Sequence, residues 1–458
     1  MALNLLNDTI AAITTPLGTG GVGAVRISGD KALETAGKIF SSSLNNKILP
    51  EFKANRIYHG WVFDNNNLVD EVILLVFKAP KSFTGENIVE IQCHGGINVV
   101  KNILKLVLKN GARLAERGEF TKRAFLNGKM DLSQAEAVLD LINSKTDRFS
   151  QVSAYNLTGK LSENVNNIRS ELLHIVSEIT AAVDFPEDVE EPDYEYIKNK
   201  ILDTILKIES ILNRSKNSDY LRNGIKITLA GRPNVGKSSL FNVLLNADRA
   251  IVTDIPGTTR DTISETIDIN GIPAVLTDTA GIRELENQTG NNYVESLGIN
   301  ISKSSIKEAD VVIFLFSLAE GLTEEDKLIL EEIQEKPIIK LGTKSDLMSQ
   351  CQLDFEYLPI SSKTLNGIDS LKDQIEQTVL HEKIEGNLEF STNTRQKECL
   401  TRAKDSLMLA FDAAEFGQIQ DLILIDLKTA LISLGEITGE IISDEILNNI
   451  FDNFCIGK

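Results

Sequence analysis

The chain has 458 residues, 42% of them apolar and 25% charged, a balance that excludes a disordered or membrane protein. That length calls for about two to four domains, and the net charge of −19 excludes a surface that grips nucleic acid throughout by counterion release, so any RNA contact is local or supplied by a partner. It has no basic-then-apolar leader, no apolar run near the roughly 20 residues of a spanning helix, and four cysteines (Cys93, Cys351, Cys399, Cys455) without C-x-x-C pairing, so a cytoplasmic chain with reduced thiols and no zinc is expected.

Residues 1–120 read as a small α/β domain, with strand-like runs at Ile10–Ile13, Gly23–Ile27, Val72–Phe77 and Ile88–Gln92. Gly18, Gly20 and Gly23 satisfy G-x-G-x-x-G, but Ala24–Ile27 continues as a strand instead of opening a helix, which excludes a dinucleotide site there. Across 121–216 the pattern turns helical: Leu161, Val165, Ile168, Leu172, Ile175 and Ile179 recur every three or four residues. Pro186 and Pro192, in an acidic stretch, break that helix run. Over 217–379 the strand-like runs Ile225–Ala230, Ala274–Thr277, Val311–Phe316, Pro337–Leu341 and Leu358–Ile360 alternate with helical stretches, which predicts βαβ units and a mainly parallel sheet. From 380 to 458 the helical period returns, with Leu424, Leu427, Leu431 and Leu434 on one stripe. The expected architecture is α/β and multidomain: an N-terminal α/β domain, a helical domain built from two segments, and a Ras-like P-loop domain inserted between them.

The segment Gly231 to Ser238 fits G-x-x-x-x-G-K-[ST], after an apolar strand and before Leu240, Phe241 and Leu244 of a helix. Such a loop turns backbone N–H groups toward phosphate at a helix N-terminus; Lys237 reaches the β- and γ-phosphates and Ser238 ligates Mg²⁺. Asn234, Val235, Gly236 and Ser239 complete the expected contacts of this loop. Farther on, Asp278-Thr279-Ala280-Gly281 ends a strand, where the carboxylate holds Mg²⁺ through water and the Gly281 amide senses the γ-phosphate. Between them lies Thr253-Asp254-Ile255-Pro256-Gly257-Thr258-Thr259, whose hydroxyls suit closure over magnesium, with Thr259 as the second metal ligand.

Thr343-Lys344-Ser345-Asp346 follows a strand and offers a carboxylate that accepts from both the guanine ring N–H and its exocyclic amine, a pair that adenine lacks. GTPases ordinarily carry asparagine where Thr343 stands; threonine keeps one hydroxyl and loses the paired donor and acceptor of the amide, so a lower affinity is expected. Ser361, Ser362 and Lys363 stand where a loop backs the base. Each short motif alone also fits an ordinary loop, but their order along one stretch points to GTP. Small GTPases place glutamine just after D-x-x-G to orient the attacking water; Ile282 cannot do so, and another group must supply both water and charge. Asn234 offers an oxygen for a monovalent cation, although sequence alone favours a cap or brace of the loop.

Beyond these motifs the chain carries Gly20-Gly21-Val22-Gly23, Arg26-Ile27-Ser28-Gly29, Ser82-Phe83-Thr84-Gly85-Glu86, His94-Gly95-Gly96, Gly118-Glu119-Phe120, Arg123-Ala124-Phe125-Leu126-Asn127, Gln134-Ala135-Glu136-Ala137, Thr258-Thr259-Arg260-Asp261 and Phe454-Cys455-Ile456-Gly457-Lys458. With this set it resembles the tRNA modification GTPases of the MnmE/TrmE family along essentially its full length. The resemblance implies potassium-stimulated GTP hydrolysis through dimerisation of the nucleotide domains, with Asn234, Thr253, Ile255 and Thr258 around K⁺ and Glu295 as the water-orienting acid. It also implies a tetrahydrofolate pocket in the N-terminal domain, which would dimerise, with Arg26, Glu90, Lys129 and Lys458 as contacts. Read without it, Arg26 and Lys129 are solvent-facing charges, and Cys455 is either a reactive thiol or a packing residue. The implied function is addition of an aminomethyl or carboxymethylaminomethyl group to the wobble uridine of tRNA with a flavin-binding partner, folate donating one carbon. A rival is a GTP-switched ribosome or RNA assembly factor without modification chemistry, which the N-terminal domain and its matching tail disfavour.

Overall fold

The computed structural model describes residues 8–45, 51–190, 192–215, 218–248, 264–278, 306–334, 336–347, 353–380 and 390–458. The chain divides into two compact units, one of Met1–Leu139, Leu157–Ile201 and Arg402–Lys458, the other of Asp140–Asn156 and Leu202–Thr401. None of the described helices is long and apolar enough to cross a membrane.

The first unit opens with β1 (Ile10–Ile13), β2 (Gly20–Ser28), α1 (Ala32–Ile39), β3 (Phe40–Ser41), β4 (Arg56–Asp64), β5 (Asn67–Phe77), β6 (Ile88–Gly95), α2 (Ile97–Lys109) and β7 (Arg113–Leu114). The strands form one sheet in the order β3-β4-β5-β6-β2-β1-β7, antiparallel throughout except for the short β1–β7 pair. Each strand sends alternate residues into the core: Val25 and Ile27 from β2, Val72, Leu74 and Val76 from β5, Val89 and Ile91 from β6. Helix α2 covers them with Val100, Ile103, Leu106 and Val107, spaced for one helical face. The expected strand runs all fall within β1, β2, β5 and β6. Strand β4 was not expected, because its Tyr58-His59-Gly60 interrupts the apolar run; the glycine is needed, since a Cβ there would lie 2.3 Å from Ser41 O.

The helices α3 (Glu119–Leu126), α4 (Leu132–Asn143), α5 (Asp147–Leu157), α6 (Lys160–Asp184), α7 (Tyr194–Arg214) and α8 (Ser218–Asn223) follow. In α6 the six residues that carried the helical period are all buried, and the helix stops at Asp184, just before Phe185 and Pro186.

The second unit contains β8 (Ile225–Ala230), α9 (Lys237–Asp248), β9 (Ser264–Ile269), β10 (Ile272–Asp278), β11 (Val311–Ser317), α10 (Glu324–Glu332), β12 (Ile338–Thr343), β13 (Leu358–Pro359) and α11 (Ile368–Val379). The sheet order is β13-β12-β11-β8-β10-β9, parallel apart from the β9–β10 hairpin. Every residue of β11 is buried, as expected of a central parallel strand. Helix α5 belongs to this unit: Phe149 joins the core with Ile225 and Ile269, and Arg148 Nη1 donates to Glu376 Oε1 on α11 at 3.0 Å.

The chain closes with α12 (Thr394–Glu415), α13 (Gln420–Thr438) and α14 (Asp444–Phe451). Leu424, Leu427, Leu431 and Leu434 are buried along α13, which packs on α6 within the first unit. The predicted mixture of an N-terminal α/β sheet, flanking helices and a mainly parallel nucleotide-type sheet is thus the observed one.

Candidate functional site

Strands β8, β10, β11 and β12 run parallel, so the loops after them converge on one edge of the sheet. The loop after β8 is Gly231 to Ser238. Gly231 has φ +151, and a Cβ there would lie 2.4 Å from Leu315 O, so glycine alone lets the loop lie against β11. Asn234 (φ 63) and Gly236 (φ 105) take left-handed backbone, the conformation that turns amides into an anion-binding concavity. Helix α9 begins at Lys237, which puts Lys237 and Ser238 at the positive end of a helix dipole. Lys237 is buried, and its Nζ donates to the carbonyls of Gly231 and Arg232, each at 2.7 Å.

Thr343 closes β12 and is buried, with Oγ1 2.6 Å from Val235 O and 3.0 Å from Phe316 O. A hydroxyl has one proton, so the shorter contact, to the phosphate loop, is the full bond. The Thr343 hydroxyl thereby braces the loop from behind. Asp346 Oδ1 accepts from Ser361 Oγ at 2.8 Å, Thr364 N donates to Ser361 Oγ at 3.2 Å, and Ser345 N donates to Ile360 O at 3.1 Å. Asp346 is therefore held in rotation by the Ser361–Thr364 loop. Ser362 and Lys363 continue that loop toward solvent.

Three further residues join this site that the sequence did not single out. Arg232 Nε donates to Asp326 Oδ1 at 2.9 Å, and Arg232 Nη2 to Glu320 Oε2 at 3.3 Å. Glu320 Oε1 in turn accepts from Lys344 Nζ at 3.4 Å. Asp326 is fully buried, and its Oδ2 accepts from Thr323 N at 3.0 Å and Thr323 Oγ1 at 2.9 Å, a capping box at the start of α10. The T-x-x-D pattern of that cap is legible in the sequence; its pairing with Arg232, 94 residues away, is not.

Thr253, Asp254, Ile255, Pro256, Gly257, Thr258, Thr259, Thr279, Ala280, Gly281, Ile282 and Glu295 lie outside the described residues, and of Asp278 only the backbone, the last residue of β10, is described. Of the expected magnesium ligands Ser238, and of the expected potassium ligands Asn234, has a described position. Among the described residues there is no cluster of three or more His, Cys, Asp or Glu side chains able to hold a metal.

In the first unit, Arg26 of β2 stands directly opposite Glu90 of β6, and its Nε donates to Glu90 Oε1 at 2.8 Å. The guanidinium lies 5.4 Å from the Phe83 ring centre and 5.5 Å from that of Phe120, a cation–π contact with each ring. Its Nη1 is buried without a hydrogen-bond partner among the described residues. A buried, unspent guanidinium N–H costs free energy unless an acceptor meets it, and a carboxylate or carbonyl of a ligand fits that need. Lys129 lies by the same loop as Phe83: its Nζ donates to Pro80 O at 3.1 Å, and Asn127 Nδ2 donates to Thr84 O at 2.8 Å.

The tail reaches this region. Ile456 bridges Arg117, and Gly457, at φ +100, brings the backbone so close to β1 that a Cβ would lie 2.3 Å from Ile13 O. Ala12, the neighbour of Ile13, pairs with Arg26 across β1 and β2. Phe454 is buried with Phe451, Leu132 and Leu447, whereas Cys455 is an exposed free thiol. Arg26, Glu90, Lys129 and Lys458 thus share one unit.

Below them, Arg123 is fully buried and donates to Asp8, Glu86 and Glu119, while Arg113 pairs with Asp8 and Glu119. Burial pushes the carboxyls of Asp8 and Glu119 up, but hydrogen bonds from Arg113 and Arg123 outweigh it and hold both below the usual carboxylate range. Glu86 also accepts from Ser28 Oγ at 2.7 Å, which ties this network to β2 two residues from Arg26.

Two family models match the chain: one described as "GTP-binding protein TrmE N-terminus", over residues 9–129, and one described as "MnmE helical domain", over residues 132–455. Among relatives, the tRNA modification GTPase MnmE of Clostridioides difficile (strain 630) is 42% identical over 99% of this chain and 100% of its own length. The protein of the same name from Carboxydothermus hydrogenoformans is 41% identical, and that from Alkaliphilus oremlandii 42%, each over 99% of this chain and 100% of the relative.

Proposed function

The chain belongs to the MnmE family of tRNA modification GTPases, and we propose that it hydrolyses GTP in the service of modifying the wobble uridine of tRNA. The observation that carries the guanine reading is the Asp346–Ser361 pair beside a helix-capped phosphate loop. Asp346 accepts from the two guanine N–H groups, Lys237 holds β- and γ-phosphate oxygens, and the backbone of 234–238 supplies further donors. Ser238 and Thr259 are the proposed magnesium ligands, and Asn234, Thr253, Ile255 and Thr258 those of potassium. Glu295 orients the attacking water in place of the missing glutamine.

The second site takes a tetrahydrofolate derivative. Its support is the donor set: Arg26, Lys129 and Lys458 suit the carboxylates, Glu90 suits pterin donors, and Arg26 Nη1 is a buried donor awaiting an acceptor. When bound, the folate supplies one carbon; the residues bind and orient it. A flavin-binding partner and tRNA complete the reaction, the partner providing much of the basic surface that a chain of net charge −19 lacks. Proposed domains are 1–120 for folate and homodimer formation, 121–216 with 380–458 as the helical domain, and 217–379 as the nucleotide domain, in a cytoplasmic protein. Cys455 is exposed and so available as a reactive thiol of this site.

Two measurements test this reading. GTP turnover in KCl is expected to exceed that in NaCl at equal ionic strength, and equal rates would remove the potassium site. Arg26→Ala is expected to weaken binding of 5-formyltetrahydrofolate by about tenfold or more, since a hydrogen bond to a charged group contributes about 1.5–3 kcal/mol; unchanged binding would remove the folate site and leave the nucleotide site standing.

A further inference from the structure

The phosphate loop is fastened from outside at two points. At Val235 the fastening is the single hydroxyl of Thr343, which lies within reach of two carbonyls and has one proton for them. At Arg232 it is a charged side chain, mostly buried, bonded to the fully buried Asp326. Asp326 is fixed in turn, because its other oxygen is taken up by the Thr323 cap of α10.

Arg232 matters to the chemistry because its own carbonyl is one of the two that hold the Lys237 ammonium. We propose that the Arg232–Asp326 pair is a positioning device for the bound nucleotide: it fixes the peptide plane that aims Lys237, and so sets affinity for the β-phosphate from the first turn of α10. Glu320 extends the device, touching Arg232 with one carboxylate oxygen and Lys344 of the base-reading loop with the other. Glu320 is half exposed, so its share is small and weakens with salt.

This inference rests on reading 231–238 as the phosphate site, and the test separates the two. Full-length Asp326→Asn keeps the side chain's shape and, with its oxygen on Thr323, the cap of α10, and puts an N–H donor where Arg232 Nε met an acceptor. GDP, GTP and GMP are titrated with fluorescent nucleotides, beside melting of the nucleotide-free protein. The expected result is a Kd for GDP and GTP raised about tenfold with that for GMP unchanged, and with Glu320→Gln about twofold weaker for GDP at low salt. Arg232→Lys, which keeps the charge but not the Nε geometry, is expected to fall between wild type and Asp326→Asn. Should Asp326→Asn fold poorly, Arg232→Gln carries the same comparison. If the wild type prefers GDP to GMP and the variants weaken both alike or neither, the positioning role is overturned. If the wild type itself does not distinguish GDP from GMP, the phosphate-site reading falls, and this inference with it.

Discussion

In the nucleotide unit the expected ligand contacts come from short stretches: Lys237 donates to carbonyls five and six residues back, and Ser361 reaches Asp346 across 15 residues, while only the fastenings behind them reach farther, Arg232 to Asp326 across 94 and Thr343 to Val235 across 108. In the N-terminal unit they do not. Arg26 meets Glu90 across 64 residues, Arg123 meets Asp8 across 115, and the 454–458 tail arrives from the far end of the chain. The difference follows from the sheets. A parallel sheet gathers the loops after its strands on one edge, so each loop brings a complete motif; an antiparallel sheet with a tail laid beside it builds a site from single residues on many elements. One kind of site is shaped by backbone geometry and fastened by one buried ion pair, the other stands on an ion-pair network of several residues.

The largest expected effect breaks that network. Arg123 is fully buried among three carboxylates, so Arg123→Ala leaves buried charge unmet and is expected to destabilise the N-terminal unit by about 3–5 kcal/mol, measured by urea unfolding. GDP binding by the other unit should persist; a loss below about 1 kcal/mol, in the range of a surface pair, would mean that the network does not hold the unit together. Next comes Lys237→Ala, expected to lower GTP turnover by about 100-fold or more, the effect of removing one donor aimed at developing charge. A fall of less than about fivefold would move the phosphate contacts elsewhere.

The smallest effect is a pH dependence that sharpens the contrast. Asp8 and Glu119 are held below their ordinary values by Arg113 and Arg123, against the upward push of burial. In acid the unfolded chain then binds more protons than the folded one, so the stability they contribute is complete above about pH 4–5 and is lost as pH falls through their lowered values. Unfolding of the N-terminal unit followed from pH 6 to pH 2 should show this slope, and Arg123→Ala should flatten it; an equal slope in both proteins would assign the acid sensitivity to other carboxylates.

What the sequence revealed follows the same division. The run Ile225–Ala230 is β8 residue for residue, and the period of Leu161 to Ile179 gives the buried face of α6, because both patterns are local. Strands β4 and β9 escaped it: Gly60 breaks one run, and Ser264–Ile269 has too few apolar residues to stand out before its hairpin partner is known. At the nucleotide site the motifs were legible and their fastenings were not. The Thr323–Asp326 capping box was not singled out, and only the fold shows that Asp326 also meets Arg232. At Arg26 the cation was visible, whereas the two rings it contacts and its buried Nη1 depend on Phe83 and Phe120 being folded against β2.

The account stands most directly on Asp346 as the guanine reader. Titrating GTP, XTP and ATP against the wild type and Asp346→Asn tests it: the wild type should prefer GTP to ATP, and the variant should lose about 100-fold in GTP affinity, two charged hydrogen bonds, while gaining XTP. Equal affinity of the wild type for ATP and GTP, or a variant that still prefers GTP to XTP, would contradict it.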